Sequence, residues 1–163
     1  LYAAVIDNAI TTTEAQQLQQ KFSAKLGRDV NIDSYFDTSK DGLSKLQTML
    51  AAKQIDVIIA PQSEFKKLAG YGYCSNLATS LNAAQRTSLA DSLVQLRGYN
   101  DADDDNPDVS GSGKGAAKAY GLSLAQATTW NTLDSADSKA LIGIAANTQN
   151  AGTAREFIDW LYR

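Results

Sequence analysis

Short apolar runs alternate with amphipathic segments over the first 61 residues, and this alternation constrains the fold more than any other feature of the chain. Residues 1–7, 30–36 and 55–60 are the apolar or alternating runs, and they predict three strands. The segments between them suit helical crossovers, which are right-handed and join parallel strands. The pattern therefore predicts a parallel sheet with helices on its faces.

The segments between the predicted strands carry the residues that begin and end helices. The clearest helix starts at the threonines Thr11 to Thr13, repeats apolar residues at helical spacing and has Gly27 just past its end. A second helix is capped by Thr38, Ser39 or Asp41. Further helices are expected after Pro61, within residues 79–96 and, as the last element, around an apolar stripe of Ala154, Phe157, Ile158 and Leu161.

The second half of the chain predicts two more strands and a polar hairpin tip. Residues 118–124 and 140–146 are the apolar runs, and the first of them pairs with residues near Gly98 and Tyr99 in an antiparallel hairpin. The tip, residues 101–115, combines an acidic cluster with a Gly/Ser cluster and has almost no apolar side chain to bury. We expect a single α/β domain over residues 1–163, with a flexible tip.

The ionisable residues exclude several kinds of chemistry. The chain of 163 residues has no histidine, one cysteine and a formal net charge of −3. A Ser-His-Asp triad, a Cys-His pair and a His-ligated metal centre all require residues that this chain lacks. Nucleic-acid binding requires a basic stripe, whereas the balance of charge here is slightly acidic. We therefore expect no enzymatic activity, no cofactor and no nucleic-acid partner.

Two segments resemble extracellular solute-binding proteins with the type 2 periplasmic-binding-protein fold. Residues 55–79, IDVIIAPQSEFKKLAGYGYCSNLAT, are similar to the part of those proteins where a strand ends in a loop and a short helix follows. Residues 140–163, ALIGIAANTQNAGTAREFIDWLYR, resemble their closing strand, loop and helix. The resemblance covers residues 1–79 and 141–163, and the chain is most similar to small membrane-anchored proteins of Gram-positive bacteria that carry one such lobe.

The resemblance implies a three-layer α/β/α fold with a mixed, mostly parallel sheet, in which the first three strands have the order 2-1-3. It also implies a non-enzymatic extracellular binding domain, similar to one lobe of an ABC-transporter solute-binding protein and tethered to the membrane of a Gram-positive bacterium. No apolar run reaches the length of a membrane span, so the anchor is expected to precede Leu1. The expected partner is an unidentified small ligand or protein.

The second lobe of a solute-binding protein has no counterpart in this sequence. The stretch between Leu81 and Ala119 has about 40 residues, too few for a second α/β lobe. Without a second lobe, no hinge closes over a ligand. Two functions remain open: a domain that binds a ligand or partner at the strand ends, and a structural or protein-interaction module without a small-molecule ligand.

Polar residues follow each of the first three predicted strands. The candidate ligand-binding residues lie beyond the carboxyl ends of strands and near helix N-termini, where open parallel sheets bind ligands. They are Asn8, Asp37, Ser39, Gln62 and Ser63. The alternative is that these side chains cap helices, which is the common role of Asn, Asp and Ser at such positions.

The acidic cluster in the predicted tip is the candidate metal site. Asp101, Asp103 and Asp105 alternate in the way that carboxylates around a hard cation do. The EF-hand pattern fails, because Asn106 stands where glycine is needed and Ser112 where a bidentate glutamate is needed. The alternative is a solvated hairpin tip, which is the ordinary role of a charge run.

Cys74 and four tyrosines have both a functional and a structural interpretation. Cys74 has no histidine or second cysteine to activate it, so we expect a buried and inert thiol. Tyr71, Tyr73, Tyr99 and Tyr120 either stack on a sugar or a peptide, or cover the core as lids.

Overall fold

One mixed sheet organises the structure, a computed structural model that describes residues 1–100 and 111–163. Its six strands are Tyr2–Ile6 (β1), Asn31–Phe36 (β2), Val57–Ala60 (β3), Leu93–Arg97 (β4), Ala117–Ser123 (β5) and Leu141–Ile144 (β6). In space they follow the order β2-β1-β3-β6-β5-β4. The predicted order 2-1-3 of the first three strands is therefore confirmed.

Most of the strands run in one direction. β1 pairs in parallel with β2 and with β3, whereas β6 is antiparallel to both β3 and β5, and β4 is antiparallel to β5. Strands β1, β2, β3 and β5 therefore end on the same side of the sheet, which we call the carboxyl edge.

Helices connect the strands and cover the sheet. They are Thr12–Leu26 (α1), Gly42–Ala51 (α2), Gln62–Gly70 (α3), Leu77–Ser80 (α4), Ala83–Ser88 (α5) and Ala151–Tyr162 (α6). Short 3-10 turns precede β4 and lie between β5 and β6. The capping residues that the sequence indicates for α1 act as expected: Thr11 and Glu14 form a capping box, and Gly27 ends the helix with φ of 72°.

Each face of the sheet has its own apolar core. Phe22 of α1 and Phe157 of α6 belong to the core on one face, and Leu46 of α2 and Phe65 of α3 belong to the core on the other. All four side chains are almost completely removed from water. The arrangement confirms the predicted three-layer α/β/α class with a mixed, mostly parallel sheet.

Strand β4 is a correction to the sequence analysis, which predicts helix over residues 79–96. The leucines at 89, 93 and 96 have helical spacing, but α5 ends at Ser88 and the chain then extends along β5. Leu93 pairs with Leu122 there, and Arg97 pairs with Ala117. Pairing with a neighbouring strand overrides a weak local helical pattern. The predicted hairpin is present, and its first strand begins earlier than expected.

The described part of the predicted hairpin tip packs against the domain. Residues 101–110 lie outside the described chain, but residues 111–115 are within it. The Gly115 N–H donates to the Gly98 carbonyl at 2.8 Å, and the Gly113 N–H donates to the Gly70 carbonyl at 3.2 Å. A side chain at Gly111 would lie 2.3 Å from the Asn100 carbonyl oxygen, so this close approach requires glycine.

The closing helix α6 docks beside α1 through three aromatic rings. The Phe22 and Phe157 ring centroids lie 5.1 Å apart at 61°, and the Phe22 and Trp160 centroids lie 5.0 Å apart. Edge-to-face pairs at such distances add to the stability that apolar burial provides.

We expect Phe157→Ala to lower the free energy of unfolding by ~3–5 kcal/mol, because a fully buried ring leaves a cavity that the packed helices cannot fill. The measurement is urea unfolding followed by circular dichroism. Glu156→Ala, at the exposed neighbouring position, is the matched control and should change stability by no more than about 0.5 kcal/mol. Equal losses in the two variants would mean that α6 is not docked through Phe157.

Glu14 ties the loop between β5 and β6 to the start of α1. Its carboxylate accepts hydrogen bonds from the Ser135 N–H at 3.0 Å, from the Ser135 hydroxyl and from the Thr11 N–H. Burial alone would raise the pKa of Glu14, but the hydrogen bonds from Ser135 and Thr11 outweigh it and lower the pKa to about 2.

This depressed pKa predicts how stability depends on pH. The stabilisation by Glu14 is fully present above its ordinary pKa of 4.5 and is lost as pH falls towards 2. Glu14→Gln should therefore be less stable than the parent protein at pH 7, by ~1.5–3 kcal/mol for hydrogen bonds to a charged group. The difference should shrink between pH 4.5 and 2, measured by urea unfolding at each pH. A constant difference over that range would contradict the assignment.

Candidate functional site

The carboxyl edge brings three loops together, because β1 lies between β2 and β3. The loop after β1 contains Asp7 and Asn8, the loop after β2 contains Asp37 and Ser39, and β3 runs through Pro61 directly into α3. All five predicted ligand-binding residues therefore lie at this edge of the sheet.

The loop after β1 has a strained backbone. Asp7 and Asn8 have φ of 50° and 55°, so two consecutive residues other than glycine are left-handed. Hydrogen bonds hold them in place: the Asp7 N–H donates to the Phe36 carbonyl at 2.9 Å, and the Asp7 carboxylate accepts from the Thr38 N–H at 2.7 Å and from its hydroxyl. Strain that the surroundings maintain in this way is typical of functional sites.

The Asn8 side chain stands at the tip of this fixed loop. It is exposed and makes no hydrogen bond to any described residue, while the next two residues, Ala9 and Ile10, are buried. Asn8 does not cap α1, because Thr11 does. Its amide is therefore available to another molecule.

Asp37 and Ser39 bond to each other and cap no helix, so the capping alternative is wrong for this pair. The Asp37 carboxylate accepts from both the Ser39 N–H, at 2.9 Å, and the Ser39 hydroxyl, and these bonds lower the pKa of Asp37. The loop is also closed by Gly42, where a Cβ would lie 2.4 Å from the Asp37 nitrogen. The pair therefore shapes the loop before α2.

Gln62 and Ser63 form the first turn of α3. Pro61 precedes them and has no side chain that caps a helix, so no side chain caps this N-terminus. Both side chains are exposed and form no hydrogen bond within the described chain. The first turn of a helix offers unpaired backbone N–H groups and the positive end of the helix dipole. On the same helix, Lys67 pairs with Glu64 of the first turn at 2.9 Å.

Asp7 is not among the predicted site residues, and Thr38 is there only as a candidate cap for α2, yet together they fix the loop after β1. The sequence signal for Asp7 is the Asp-Asn pair directly after a buried strand, since these two residue types tolerate a left-handed backbone. The hydrogen bonds between Asp7 and Thr38 join two loops, and they depend on the order of the strands in the sheet, which the local sequence does not specify.

The main cavities lie away from the predicted ligand-binding residues. One of about 730 Å³ lies between α5 and the carboxyl end of α6, and another of about 660 Å³ lies at the opposite edge of the sheet beside Asp56. Two smaller ones flank α1. Asn8, Gln62 and Ser63 line none of these four cavities.

Several other candidate features are structural or lie outside the described chain. Burial raises the pKa of the Cys74 thiol to about 12, which makes it a poor nucleophile. No three metal-binding side chains gather within residues 1–100 and 111–163. The candidate metal ligands Asp101, Asp103 and Asp105 lie outside the described residues. No helix of the described chain combines the length and apolarity needed to cross a bilayer.

The four tyrosines lie partly exposed and partly packed. Tyr71 and Tyr99 are 38% and 47% exposed, and the Tyr71 and Tyr73 ring centroids lie 5.5 Å apart. The Tyr73 hydroxyl accepts from the Gln47 amide at 2.8 Å. Tyr73 and Tyr120 also pack against the core formed by α2 and α3, which is the lid role.

Comparison with known proteins leaves the function to be inferred from this geometry. No protein-family model matches the chain, and no curated protein sequence matches it.

The left-handed backbone at Asn8 predicts different effects for two substitutions. Asn8→Ala should lower stability by ~1–2 kcal/mol, because a Cβ without a polar side chain is costly in this region. Asn8→Gly should change stability little, because glycine adopts this conformation without strain. Thermal unfolding of the two variants measures the difference. Equal stability of the two would show that residue 8 is not left-handed in solution.

Proposed function

We propose that this chain is a non-enzymatic binding domain that recognises its ligand or partner at the carboxyl edge, through Asn8, Gln62, Ser63 and the first turn of α3. The observation that carries the proposal is the strained, well-fixed loop that holds an unpaired amide at the same edge of the sheet as an uncapped helix N-terminus. We further propose that the domain is extracellular and membrane-tethered, in keeping with the resemblance to solute-binding proteins.

The groups at this edge favour a ligand that accepts hydrogen bonds. Asn8 and Gln62 carry amide N–H groups, Ser63 carries a hydroxyl and the first turn of α3 adds backbone N–H groups. The helix dipole adds a positive potential at the same place. A carboxylate or the carbonyl groups of a peptide fit these donors. The Asp7 carboxylate accepts one bond from Thr38 at each oxygen, and Glu64 in the first turn of α3 pairs with Lys67.

A second candidate function follows from the absence of Asn8, Gln62 and Ser63 from the lining of the four cavities. Small-molecule sites are usually concave, and the three free side chains line none of the four cavities. This favours a protein-interaction module, in which the edge contacts the surface of a larger partner and no small molecule is bound.

A nuclear magnetic resonance titration distinguishes the two candidates. The probes are amino acids, sugars and short acetylated peptides, added separately to isotope-labelled protein. We expect peptides with a free carboxylate to shift the amide signals of residues 8 and 62–64 saturably. Shifts by none of the probes would favour the interaction module, and saturable shifts at other residues only would contradict the proposed site.

A matched pair of variants tests the residues. Asn8→Gly, Gln62→Ala and Ser63→Ala together should weaken peptide binding at least tenfold, which corresponds to the loss of ~1.4 kcal/mol. The control carries three exposed α1 substitutions, Gln17→Ala, Gln20→Ala and Lys21→Ala, and should bind like the parent. Unchanged binding in the first variant would show that the carboxyl edge is not the binding site.

A further inference from the structure

Strand β2 forms one edge of the sheet, and it pairs with another strand on one side only. The Asn31 N–H donates to the Leu1 carbonyl, so the backbone groups of the alternate residues Asn31 and Asp33 face β1. The alternation along a strand then turns the N–H and C=O groups of Ile32 and Ser34 away from the sheet. An outward row of backbone groups is a template for pairing with another chain.

Gln19 of α1 occupies this edge in place of a strand. Its side-chain oxygen accepts from the outward Ile32 N–H at 2.8 Å, which is the hydrogen bond that the carbonyl of a neighbouring strand would make. The Ser34 hydroxyl donates to the hydroxyl of Thr12, also on α1, at 3.3 Å. Although they lie on an edge strand, Ile32 and Ser34 are only 4% and 7% exposed. Side chains of α1 therefore cover this part of the edge.

The carboxyl half of β2 is closed in a different way. The register with β1 shifts there, so that β2 has one extra residue between Asp33 and Phe36, which is a β-bulge. The Tyr35 N–H donates to the Asp33 carboxylate at 2.8 Å, and the Tyr35 carbonyl accepts from the Lys45 ammonium at 3.1 Å. Bulges hinder the pairing of edge strands. The amino half of β2 lies before the bulge and depends on Gln19 instead.

Two cavities border Gln19. One of about 270 Å³ is lined by residues 31–35 together with Thr12, Gln16 and Gln19. Side chains of successive strand residues point to opposite faces of a sheet, so a cavity lined by five of them in a row runs along the edge of the strand. The larger cavity of about 660 Å³ is also bordered by Gln19 and Asn31. Removal of the Gln19 side chain would therefore lengthen the groove along β2.

We propose that Gln19 closes the β2 edge against a second copy of this chain, and that the domain stays monomeric because of the bond to Ile32. A second copy fits this edge because an antiparallel pair of identical edges is self-complementary. Centred on Ser34, such a pair would place Asp33 opposite Tyr35 of the second copy, so that like charges would not meet. The proposal is independent of the proposed function, because none of the residues of that site lies on β2.

Hydrogen exchange of the Ile32 amide tests the closing bond. In Gln19→Ala this N–H loses its acceptor, so at low protein concentration it should exchange at least tenfold faster than in the parent. Gln19→Glu keeps an acceptor oxygen and should keep the slow exchange. Gln16→Ala, at an exposed position that lines the same cavity, is the matched control and should also keep it. Equal exchange in Gln19→Ala and the parent would overturn the proposal. Unchanged exchange of the β3 amides verifies that each variant is folded.

Sedimentation equilibrium from about 10 μM to about 1 mM tests the association. We expect Gln19→Ala to form dimers as its concentration rises, with renewed protection of the Ile32 amide, and the parent, Gln19→Glu and Gln16→Ala to stay monomeric. The proposal is wrong if Gln19→Ala stays monomeric at the highest concentration, or if the parent dimerises equally. Association of Gln19→Ala without renewed protection of Ile32 would also overturn it, because the copies would then meet at another surface.

Discussion

The antiparallel pairing of β3 with β6 joins the two halves of the domain, and the rest of the structure depends on it. β3 is the last strand of the first half, and β6 comes more than 80 residues later, yet they pair from Val57 with Ile144 to Ala60 with Leu141. Every residue of both strands is buried. Without this pairing, β1, β2 and β3 would present an open edge to water, and β4, β5 and β6 would be a separate three-stranded sheet.

Asp56 reinforces this junction at the amino end of β3. Its carboxylate accepts from the Tyr2 N–H at 2.9 Å, from the Thr148 hydroxyl and from the Asn150 amide. Its own carbonyl accepts from the Ala145 N–H. A buried carboxylate satisfied by β1 and by the loop before α6 fixes the direction in which α6 leaves the sheet. The position of α6 in turn places the cavity walls at its far end.

Sequence patterns predicted those elements whose local signals agree with the tertiary structure. The helix α1 has a capping box at its start, a stop glycine at its end and apolar spacing between them, and its bounds were predicted closely. The prediction for β4 was wrong because Leu93 and Leu96 have helical spacing, and the local sequence does not show that this segment pairs with β5. The spacing of apolar residues within one segment carries no information about its partner strand, which begins about 20 residues later.

The candidate site was predictable in position but not in chemistry. The alternation of strands and helices placed Asn8, Asp37 and Gln62 at one edge, since the carboxyl ends of parallel strands meet there. It did not distinguish Asp37, whose carboxylate bonds to Ser39, from Asn8, whose side chain bonds to no described residue. That separation depends on backbone angles and on contacts between loops. The cavity between α5 and α6 had no sequence signal, because its walls come from distant segments.

Hydrogen exchange of the backbone amides tests the central junction most directly. If β3 and β6 form one cooperative unit, the amides of Ile58, Ile59, Ile142 and Ile144 that bond within the sheet exchange only by global unfolding, with the same free energy of opening. The same free energy should be obtained from urea unfolding. Exchange of the β6 amides at a much lower free energy than those of β3 would contradict this account, because the two halves would then separate without unfolding.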